Sequence, residues 1–304
     1  MSYLRIGKAV VSITHDDDDV LSSKIITELA AHQVGEGQAN ARITISNSIS
    51  SKIPEKAVRT TSFEYKDIYT LDGRKYVYRE DEYMICIDPQ EMSLNIEYNA
   101  FSEGLCTICR HIIKWMMIKA NEDQGIPYIH GSAIQHNGKN ILFTGDSNTG
   151  KTTSLIRSVN NGGKAITDDT VFIDGDRLHP FSFKPTIDED IMERFSEKGS
   201  ILEEMMECMD CKTVYEGIDV IIFLRIWNYD KDSIRKMEGI ESISRLFGIY
   251  KKECKLSIWH EKIDNRFIFE EYDRILQDTK CIEFTQGYDE EEVKKDLLEI
   301  LDED

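Results

Sequence analysis

The sequence predicts an α/β protein of the α+β type with two domains, residues 1–125 and residues 126–304. Three observations predict it. Two-residue turn signals separate segments of alternating apolar and polar residues, which is typical of β-hairpins. Several longer segments repeat apolar residues with helical spacing. A buried-strand pattern, Asn140–Thr144, runs into a glycine-rich loop that is followed by a helical pattern, Thr152–Val159.

The first domain is predicted to be mostly antiparallel β-structure with helices. The predicted helices are Leu21–Val34 and Phe101–Ala120. The predicted strands are Ser62–Leu71, Arg74–Arg79 and Met92–Tyr98. Asp72-Gly73 is the turn signal of a hairpin. The polar segment Glu36–Val58 is expected to be the most mobile stretch of this domain. The polar run Asn121–Gly125 ends the last helix and marks the domain boundary.

The second domain begins with a hairpin around Asn137-Gly138, a pair typical of type I′ turns. If these two residues form the loop, His136 pairs with Lys139. Counting back along both strands then sets His130 opposite Gly145. A histidine beside the glycine-rich loop can exchange a proton near neutral pH, so the register predicts a functional role for His130.

The glycine loop, Gly145–Thr152, fills the pattern G-x-x-x-x-G-K-[ST] of a phosphate-binding P-loop. The predicted nucleotide-binding residues are Gly145, Asp146, Ser147, Asn148, Thr149, Gly150, Lys151, Thr152 and Thr153. The glycines let the backbone approach phosphates, and the loop and helix N–H groups face the anion. Lys151 can reach the β and γ oxygens, and the Thr152 hydroxyl can bind Mg²⁺. The pattern predicts binding of MgATP or MgGTP.

Two adjacent carboxylates follow the next predicted strand, Lys164–Thr167. In a P-loop protein, Asp168 is the expected partner of Mg²⁺, and Asp169 could orient or deprotonate an incoming hydroxyl. A capped turn is the structural alternative. Because neighbouring strand residues point to opposite faces, the two aspartates are expected to have separate roles. A further hairpin is predicted around Asp174-Gly175.

The remaining segments complete the α/β pattern. Residues 188–211 form an acidic, methionine-rich helical pattern that suits a lid, a substrate-facing surface or ordinary core packing. The apolar segment Asp219–Ile226 predicts a central buried strand. The later predicted elements are the helices Ile240–Tyr250, Asn265–Gln277 and Asp289–Leu301 and the strand Cys281–Thr285.

Charge excludes some classes of partner. The chain has 37 basic and 56 acidic residues, a formal net charge of −19, which repels nucleic-acid phosphates and anionic membranes. We therefore expect no nucleic-acid or membrane partner. The sequence has no long apolar run and no signal-peptide core at its beginning, so a cytoplasmic protein is expected.

The spacing of the cysteines allows one metal-site hypothesis. The chain has seven cysteines, an odd number that argues against a disulfide framework. Cys106 and Cys109, together with Cys208 and Cys211, have the spacing of a four-thiolate zinc site. Cys106 and Cys109 also lie on an apolar helical stripe, where cysteine behaves as a small hydrophobic residue.

Three motifs together resemble a known superfamily. His130-Gly131-Ser132-Ala133, the glycine loop and Thr167-Asp168-Asp169-Thr170-Val171 are similar to the catalytic core of the HPr kinase/phosphorylase and phosphoenolpyruvate carboxykinase superfamily. The resemblance covers residues 126 to about 185. It implies a P-loop kinase domain with a mixed sheet and flanking helices.

The resemblance also implies roles for individual residues. His130 and Asp169 would lie beside the transferred phosphoryl group, with Asp169 as base or orienter. Thr152 and Asp168 would hold Mg²⁺, and Lys151 would stabilise charge on the γ-phosphate. The glycine-rich element of HPr kinases and the substrate-binding arginines of the carboxykinase are not evident in the sequence. The first absence argues against HPr as the substrate, and the second argues against oxaloacetate.

The predicted activity is an ATP-dependent kinase that transfers the γ-phosphoryl group to a hydroxyl of a peptide or protein serine or threonine. A free small-molecule hydroxyl is an alternative acceptor. Lys184 is a further candidate for contacting the substrate.

The absence of an Asn-Lys-x-Asp element and of a Leu-Ser-Gly-Gly motif argues against a small GTPase and a transporter ATPase. A regulatory P-loop ATPase is the alternative hypothesis. The sequence leaves the oligomeric state open, a homo-oligomer included.

Overall fold

The structure, a computed structural model, describes residues 1–16, 18–63, 66–183, 213–226, 233–255, 257–259, 264–287 and 290–302. The chain divides into two units, each built on a mixed β-sheet, so the fold class is α/β. The first unit contains Met1–Gly125 and Leu256–Lys262, and the second contains Ile126–Lys255 and Ile263–Asp304.

The first unit contains a sheet with nine strands in the described part of the chain. Its elements are β1 (Ser2–Ile6), β2 (Ala9–His15), α1 (Val20–Glu28), a 3₁₀ turn (Ala30–His32), β3 (Gln33–Val34), β4 (Ala41–Ser46), β5 (Val58–Phe63), β6 (Lys66–Leu71), β7 (Arg74–Arg79), β8 (Tyr83–Asp88), β9 (Ser93–Tyr98) and α2 (Glu103–Glu122). The spatial order is β3-β1-β2-β4-β9-β8-β7-β6-β5. β4 is parallel to β2 and β9, and the other pairs are antiparallel.

Strand β4 corrects the expectation that residues 36–58 form a mobile polar stretch. Ala41, Ile43 and Ile45 are buried and alternate with polar residues, so the segment buries one face in the middle of the sheet. The loop after β4 is also held, because the backbone N–H groups of Ser50 and Ser51 each donate to the Glu97 carboxylate at 2.8 Å. Burial raises the pKa of Glu97, but hydrogen bonds from the Ser51 hydroxyl and from these N–H groups outweigh it, so the pKa is lowered.

The predicted hairpin around Asp72-Gly73 is confirmed, since Leu71 pairs with Arg74. Helix α2 begins after Ser102, whose Oγ accepts a hydrogen bond from the N–H of Leu105 at 3.1 Å. Cys106 and Cys109 are buried on this helix, whereas Cys208 and Cys211 lie outside the described residues. None of the helices described here is long and apolar enough to cross a membrane.

The second unit contains the glycine loop. Its elements are β10 (Tyr128–His136), β11 (Lys139–Thr144), α3 (Lys151–Asn160), β12 (Lys164–Thr167), β13 (Thr170–Asp174), β14 (Arg177–Phe181), β15 (Tyr215–Glu216), β16 (Val220–Ile226), β17 (Ser233–Met237), α4 (Ile240–Cys254), α5 (Asn265–Leu276), β18 (Lys280–Gln286) and α6 (Glu290–Asp302). The spatial order is β15-β14-β13-β10-β11-β16-β18-β17, and β12 also pairs with β10.

The parallel strands β11, β16 and β18 form the middle of this sheet. Their apolar side chains pack with α3 and α6 in one buried core, which includes Ile141, Phe143, Leu155, Ile156, Ile222, Leu224, Phe284 and Leu297. Because the carboxyl ends of parallel strands meet at one edge of a sheet, the loop after β11 lies at the edge where α/β proteins usually bind ligands.

The predicted register of the β10–β11 hairpin is confirmed. His136 pairs with Lys139 and Gly131 pairs with Thr144, so His130 is the next residue in register toward Gly145. The β13–β14 turn differs by one residue from the prediction, because Asp174 pairs with Arg177 and leaves Gly175 and Asp176 as the loop. The predicted helical segment 188–211 lies outside the described residues.

Candidate functional site

The glycine loop joins the end of β11 to the start of α3. Asn148 and Gly150 have φ angles of 62° and 89°, the left-handed conformation that asparagine and glycine adopt most readily. The Thr149 hydroxyl donates to the carbonyl of Asp146 at 2.8 Å. The loop therefore curls back on itself, and the first-turn N–H groups of α3 are directed toward it.

Gly145 is required by close packing rather than by its φ angle. A Cβ atom at this position would lie 2.6 Å from the Thr149 hydroxyl and 2.7 Å from the carbonyl oxygen of Leu224 in β16. Real Cβ atoms do not approach other atoms so closely, and the Leu224 carbonyl is backbone that cannot swing away. Any side chain at Gly145 would push the loop off the neighbouring strand.

The ammonium group of Lys151 lies over the same loop. Its Nζ is 3.3 Å from the carbonyl oxygen of Gly145 and 3.0 Å from that of Asp146, and it donates to both. Carbonyl groups are neutral acceptors, and a phosphate oxygen would be a stronger partner for an ammonium group. The position of Lys151 is therefore suited to binding an anion in the loop.

The carboxylate of Asp168 connects two elements of the site. It accepts a hydrogen bond from the Ser132 hydroxyl at 2.6 Å and another from the Thr152 hydroxyl at 3.0 Å. Burial raises the pKa of Asp168 from 3.8 to about 6, although both hydrogen bonds act in the opposite direction. Above about pH 6 the carboxylate is therefore mostly ionised but poorly solvated, and it would gain from a nearby cation.

Asp169 points to a different partner, as expected for adjacent residues. The Nδ1 atom of His130 is 2.8 Å from the carbonyl oxygen of Asp169 and 3.4 Å from its Oδ1. A carbonyl oxygen can only accept, so Nδ1 carries a proton and Nε2 of the neutral ring is the basic nitrogen. The N–H of Gly131 donates to the same carbonyl at 3.0 Å, which holds the Asp169 backbone against β10.

His130 is also tied to the strand that leads into the loop. The Thr144 hydroxyl donates to the carbonyl oxygen of His130 at 2.8 Å. The side chains of His130 and Asp169 keep 18% and 24% of their surface exposed, so both are accessible from solvent. The structure thus brings His130, Lys151, Thr152, Asp168 and Asp169 to one edge of the second sheet.

Other predicted residues lie at the rim or outside this cluster. Ser147 and Asn148 are exposed on the glycine loop, and Thr153 is partly buried in α3. Lys184 lies outside the described residues, so its predicted substrate contact stays a prediction.

Sequence reasoning missed three residues that contact the loop or its acidic partner. Ser132 binds Asp168, and Lys252 of α4 forms an ion pair with Asp146, with Nζ 2.7 Å from Oδ1. Gln286 at the end of β18 lies against Gly150, where an added Cβ would be 3.4 Å from its Oε1. The hairpin register could have indicated Ser132, since it is two residues from His130 on the same strand. No local signal indicates Lys252 or Gln286.

The donors present suit a hard divalent cation shared with a phosphate. The Thr152 hydroxyl and the Asp168 carboxylate are both oxygen donors and lie 3.0 Å apart. The described residues contain no group of three or more His, Cys, Asp or Glu side chains arranged to hold a metal. Mg²⁺ commonly takes only one or two carboxylates and completes its shell with phosphates and water. The Thr152 and Asp168 pair fits that mode of binding.

Comparison with known proteins finds a distant structural similarity. No family model matches the chain, and no curated protein matches it. Among solved structures, the chain is similar to the HPr(Ser) kinase/phosphatase from Coxiella burnetii, with 11% sequence identity and a TM-score of 0.30. The similarity covers 57% of this chain and 87% of that chain.

Proposed function

We propose that the protein is an ATP-dependent kinase that transfers the γ-phosphoryl group of MgATP to a hydroxyl group. The acceptor is a serine or threonine of a peptide or protein. The observation that carries the proposal is the convergence of the glycine loop with His130 and Asp169, which lie 39 residues apart in the chain. A P-loop with a carboxylate and a histidine at its mouth has the parts that phosphoryl transfer needs.

The glycine loop would bind the phosphate chain. The N–H groups at the start of α3 would face the phosphates, and Lys151 would exchange its carbonyl acceptors for β and γ oxygens. Thr152 and Asp168 would hold Mg²⁺, which neutralises charge on the β- and γ-phosphates when it is bound. Ser132 would orient the Asp168 carboxylate through its 2.6 Å hydrogen bond.

Asp169 would act on the acceptor. An oxygen lone pair of the acceptor hydroxyl attacks the γ-phosphorus, and the bond from the γ-phosphorus to the β–γ bridging oxygen breaks. ADP leaves with that electron pair, and the hydroxyl proton passes to the Asp169 carboxylate. His130 would hold Asp169 through its carbonyl oxygen and add a polar group beside the transferred phosphoryl.

The proposal can be tested with γ-labelled ATP. The purified protein is incubated with labelled ATP, Mg²⁺ and a host extract that has been divided by size into macromolecules and small molecules. We expect label in the macromolecular fraction with the wild type. Asp169→Asn should lower the transfer rate by about 100-fold or more, because it removes the base, while ATP still binds.

Two further variants complete the test. Lys151→Ala should lose both ATP binding and transfer, whereas Lys251→Ala, an exposed lysine of α4, should behave as the wild type. Label in the small-molecule fraction would change the class of acceptor from a polypeptide to a metabolite. Release of free phosphate alone, at the same rate in the wild type and in Asp169→Asn, would contradict a kinase and favour a regulatory ATPase.

A further inference from the structure

Helix α4 passes beside the strand end of the glycine loop. The Nζ atom of Lys252 lies 2.7 Å from Oδ1 of Asp146, the second residue of the loop. On the same helix, the ring of Tyr250 packs against Tyr128 with centroids 5.5 Å apart, and Tyr128 lies two residues before His130 on β10. The helix is therefore held next to the part of the site that contains His130.

A second cation lies two helical turns before Lys252. Arg245 and Lys252 are seven residues apart, which places them on the same face of α4. The Nε atom of Arg245 is buried, and no hydrogen-bond partner for it is found among the described residues. A buried guanidinium N–H is costly to leave unpaired, so this position calls for an acceptor.

The helix surface between the two cations is open. Viewed down the helix axis, Gly248 lies within about 60° of both Arg245 and Lys252, because successive residues of an α-helix are about 100° apart. A Cβ atom added at Gly248 would meet no other atom within 4 Å. The face therefore presents an arginine, a gap and a lysine, and the gap leaves room for a ligand group between the charges.

Three cations act on the carboxylate of Asp146. Lys252 lowers the pKa of Asp146 through its hydrogen bond and its charge, while burial acts in the opposite direction, and the charges of Arg245 and Lys151 lower it further. Lys151, Arg245 and Lys252 are thus close enough to Asp146 to favour a further anion at this end of the loop.

The position along the loop indicates which part of a nucleotide this anion would be. In a P-loop the helix N-terminus holds the inner phosphates, and the lysine reaches the β- and γ-phosphates. Asp146 lies at the other end of the loop, where β11 enters, which is also the end next to His130. A group bound between α4 and this end of the loop would be the terminal phosphate.

We propose that Arg245 and Lys252 of α4 bind the terminal phosphate of the nucleotide and make the site selective for a triphosphate over a diphosphate. This inference rests on the proposed binding of ATP in the glycine loop. A γ-phosphate oxygen would be the acceptor that the buried Nε of Arg245 lacks, and Lys252 would divide its charge between Asp146 and the γ-phosphate oxygens.

The test is calorimetric titration of the full chain with MgATP and with MgADP. Arg245→Ala should weaken MgATP binding about tenfold and leave MgADP binding within about twofold, because only ATP has the contacted group. Lys252→Ala should weaken MgATP binding about threefold, since this lysine is largely exposed. Lys251→Ala is the matched control, with the same charge on the neighbouring residue, and should leave both affinities unchanged.

Arg245→Lys guards against a folding defect in the alanine variant. It keeps the charge but loses the planar fork, so we expect an intermediate loss of MgATP affinity. Thermal unfolding of every variant checks that each is folded. The side chain of Lys252 is 64% exposed, so we expect Lys252→Ala to fold, and this variant carries the test if both arginine variants fail to fold.

The outcomes separate this inference from the proposed function. If the wild type binds MgATP and Lys151→Ala does not, the glycine loop is the nucleotide site. Under that result, wild-type affinity for MgATP in the Arg245 and Lys252 variants would overturn the role of α4 but not the proposed function. Equal losses of affinity for MgATP and MgADP would have the same meaning. If the wild type binds neither nucleotide, the proposed function is wrong and the α4 contact is wrong with it.

Discussion

The ionised form of Asp168 is destabilised in the folded protein. Burial raises the pKa of this carboxyl from 3.8 to about 6, and the hydrogen bonds from Ser132 and Thr152 only partly offset the effect. Between these pH values the unfolded chain loses the proton while the folded chain retains it. The contribution of Asp168 to stability is therefore present below pH 3.8 and is lost as the pH rises to about 6.

Replacing Asp168 should therefore make the ligand-free protein more stable while removing the proposed kinase activity. At pH 7.5, Asp168→Asn should raise the free energy of unfolding by at most about 3 kcal/mol, since the pKa shift is about two units. The gain should shrink toward pH 4.5, where the folded wild type is largely protonated. Urea unfolding at both pH values, in the absence of nucleotide and metal, measures the difference.

The control for this prediction is Asp72→Asn, at an exposed turn position with a φ of 48° that asparagine also tolerates. It should change stability little and equally at both pH values. A loss of stability in Asp168→Asn at pH 7.5 would contradict the view that the buried charge is a cost of keeping the site ready for a cation.

At the scale of secondary structure, the β10–β11 hairpin positions most of the site. The left-handed residues Asn137 and Gly138 close its turn, with φ angles of 50° and 82°. The same register brings Gly131 opposite Thr144, so closely that a Cβ atom on Gly131 would lie 2.4 Å from the carbonyl oxygen of Phe143. The hairpin can therefore pack this tightly only with glycine at position 131.

Gly131→Ala should consequently distort the hairpin at the base of the glycine loop. We expect it to lower the free energy of unfolding by about 3 kcal/mol, because the contact is with backbone and cannot be relieved by a side-chain rotation. Guanidinium unfolding followed by circular dichroism measures the loss. Gly35→Ala is the control, since a Cβ there would meet nothing within 4 Å. Equal stability of the two variants would contradict the close packing of β10 on β11.

At the scale of the whole molecule, the first unit is not continuous in sequence. It includes Leu256–Lys262, which follows α4, in addition to Met1–Gly125. Within this unit, Trp259 is 1% exposed and its Nε1 donates to the carbonyl oxygen of Ile112 in α2 at 2.8 Å. A segment from late in the chain thus contributes to the core of the first unit.

Trp259→Ala should destabilise the first unit by about 3–5 kcal/mol, the usual cost of removing a buried aromatic side chain. Lys255→Ala, an exposed residue four positions earlier, should have little effect. Limited proteolysis in increasing urea, with the fragments identified by mass spectrometry, measures which unit opens first. Unchanged resistance of Met1–Gly125 in Trp259→Ala would show that this segment does not stabilise the unit.

Much of the second unit could be predicted because its signals are local. The Asn137-Gly138 turn and the pairing rule together predict the hairpin register, and the pattern Gly145–Thr152 predicts a turn between a strand and a helix. Strand β4 could not be recognised in the same way, because both of its neighbours, β2 and β9, pair with it in parallel from distant parts of the chain. A parallel partner leaves no turn signal beside the strand.

The sequence by itself determined the glycine loop, the turn beside it and the short distance between His130 and that loop. These features follow from backbone conformations that asparagine and glycine allow and from residue-by-residue pairing in a hairpin. Only the tertiary structure decided that Ser132 binds Asp168 and that Lys252 pairs with Asp146, 106 residues away. Such contacts depend on how helices and strands pack against one another, and packing brings together residues whose sequence positions share no pattern.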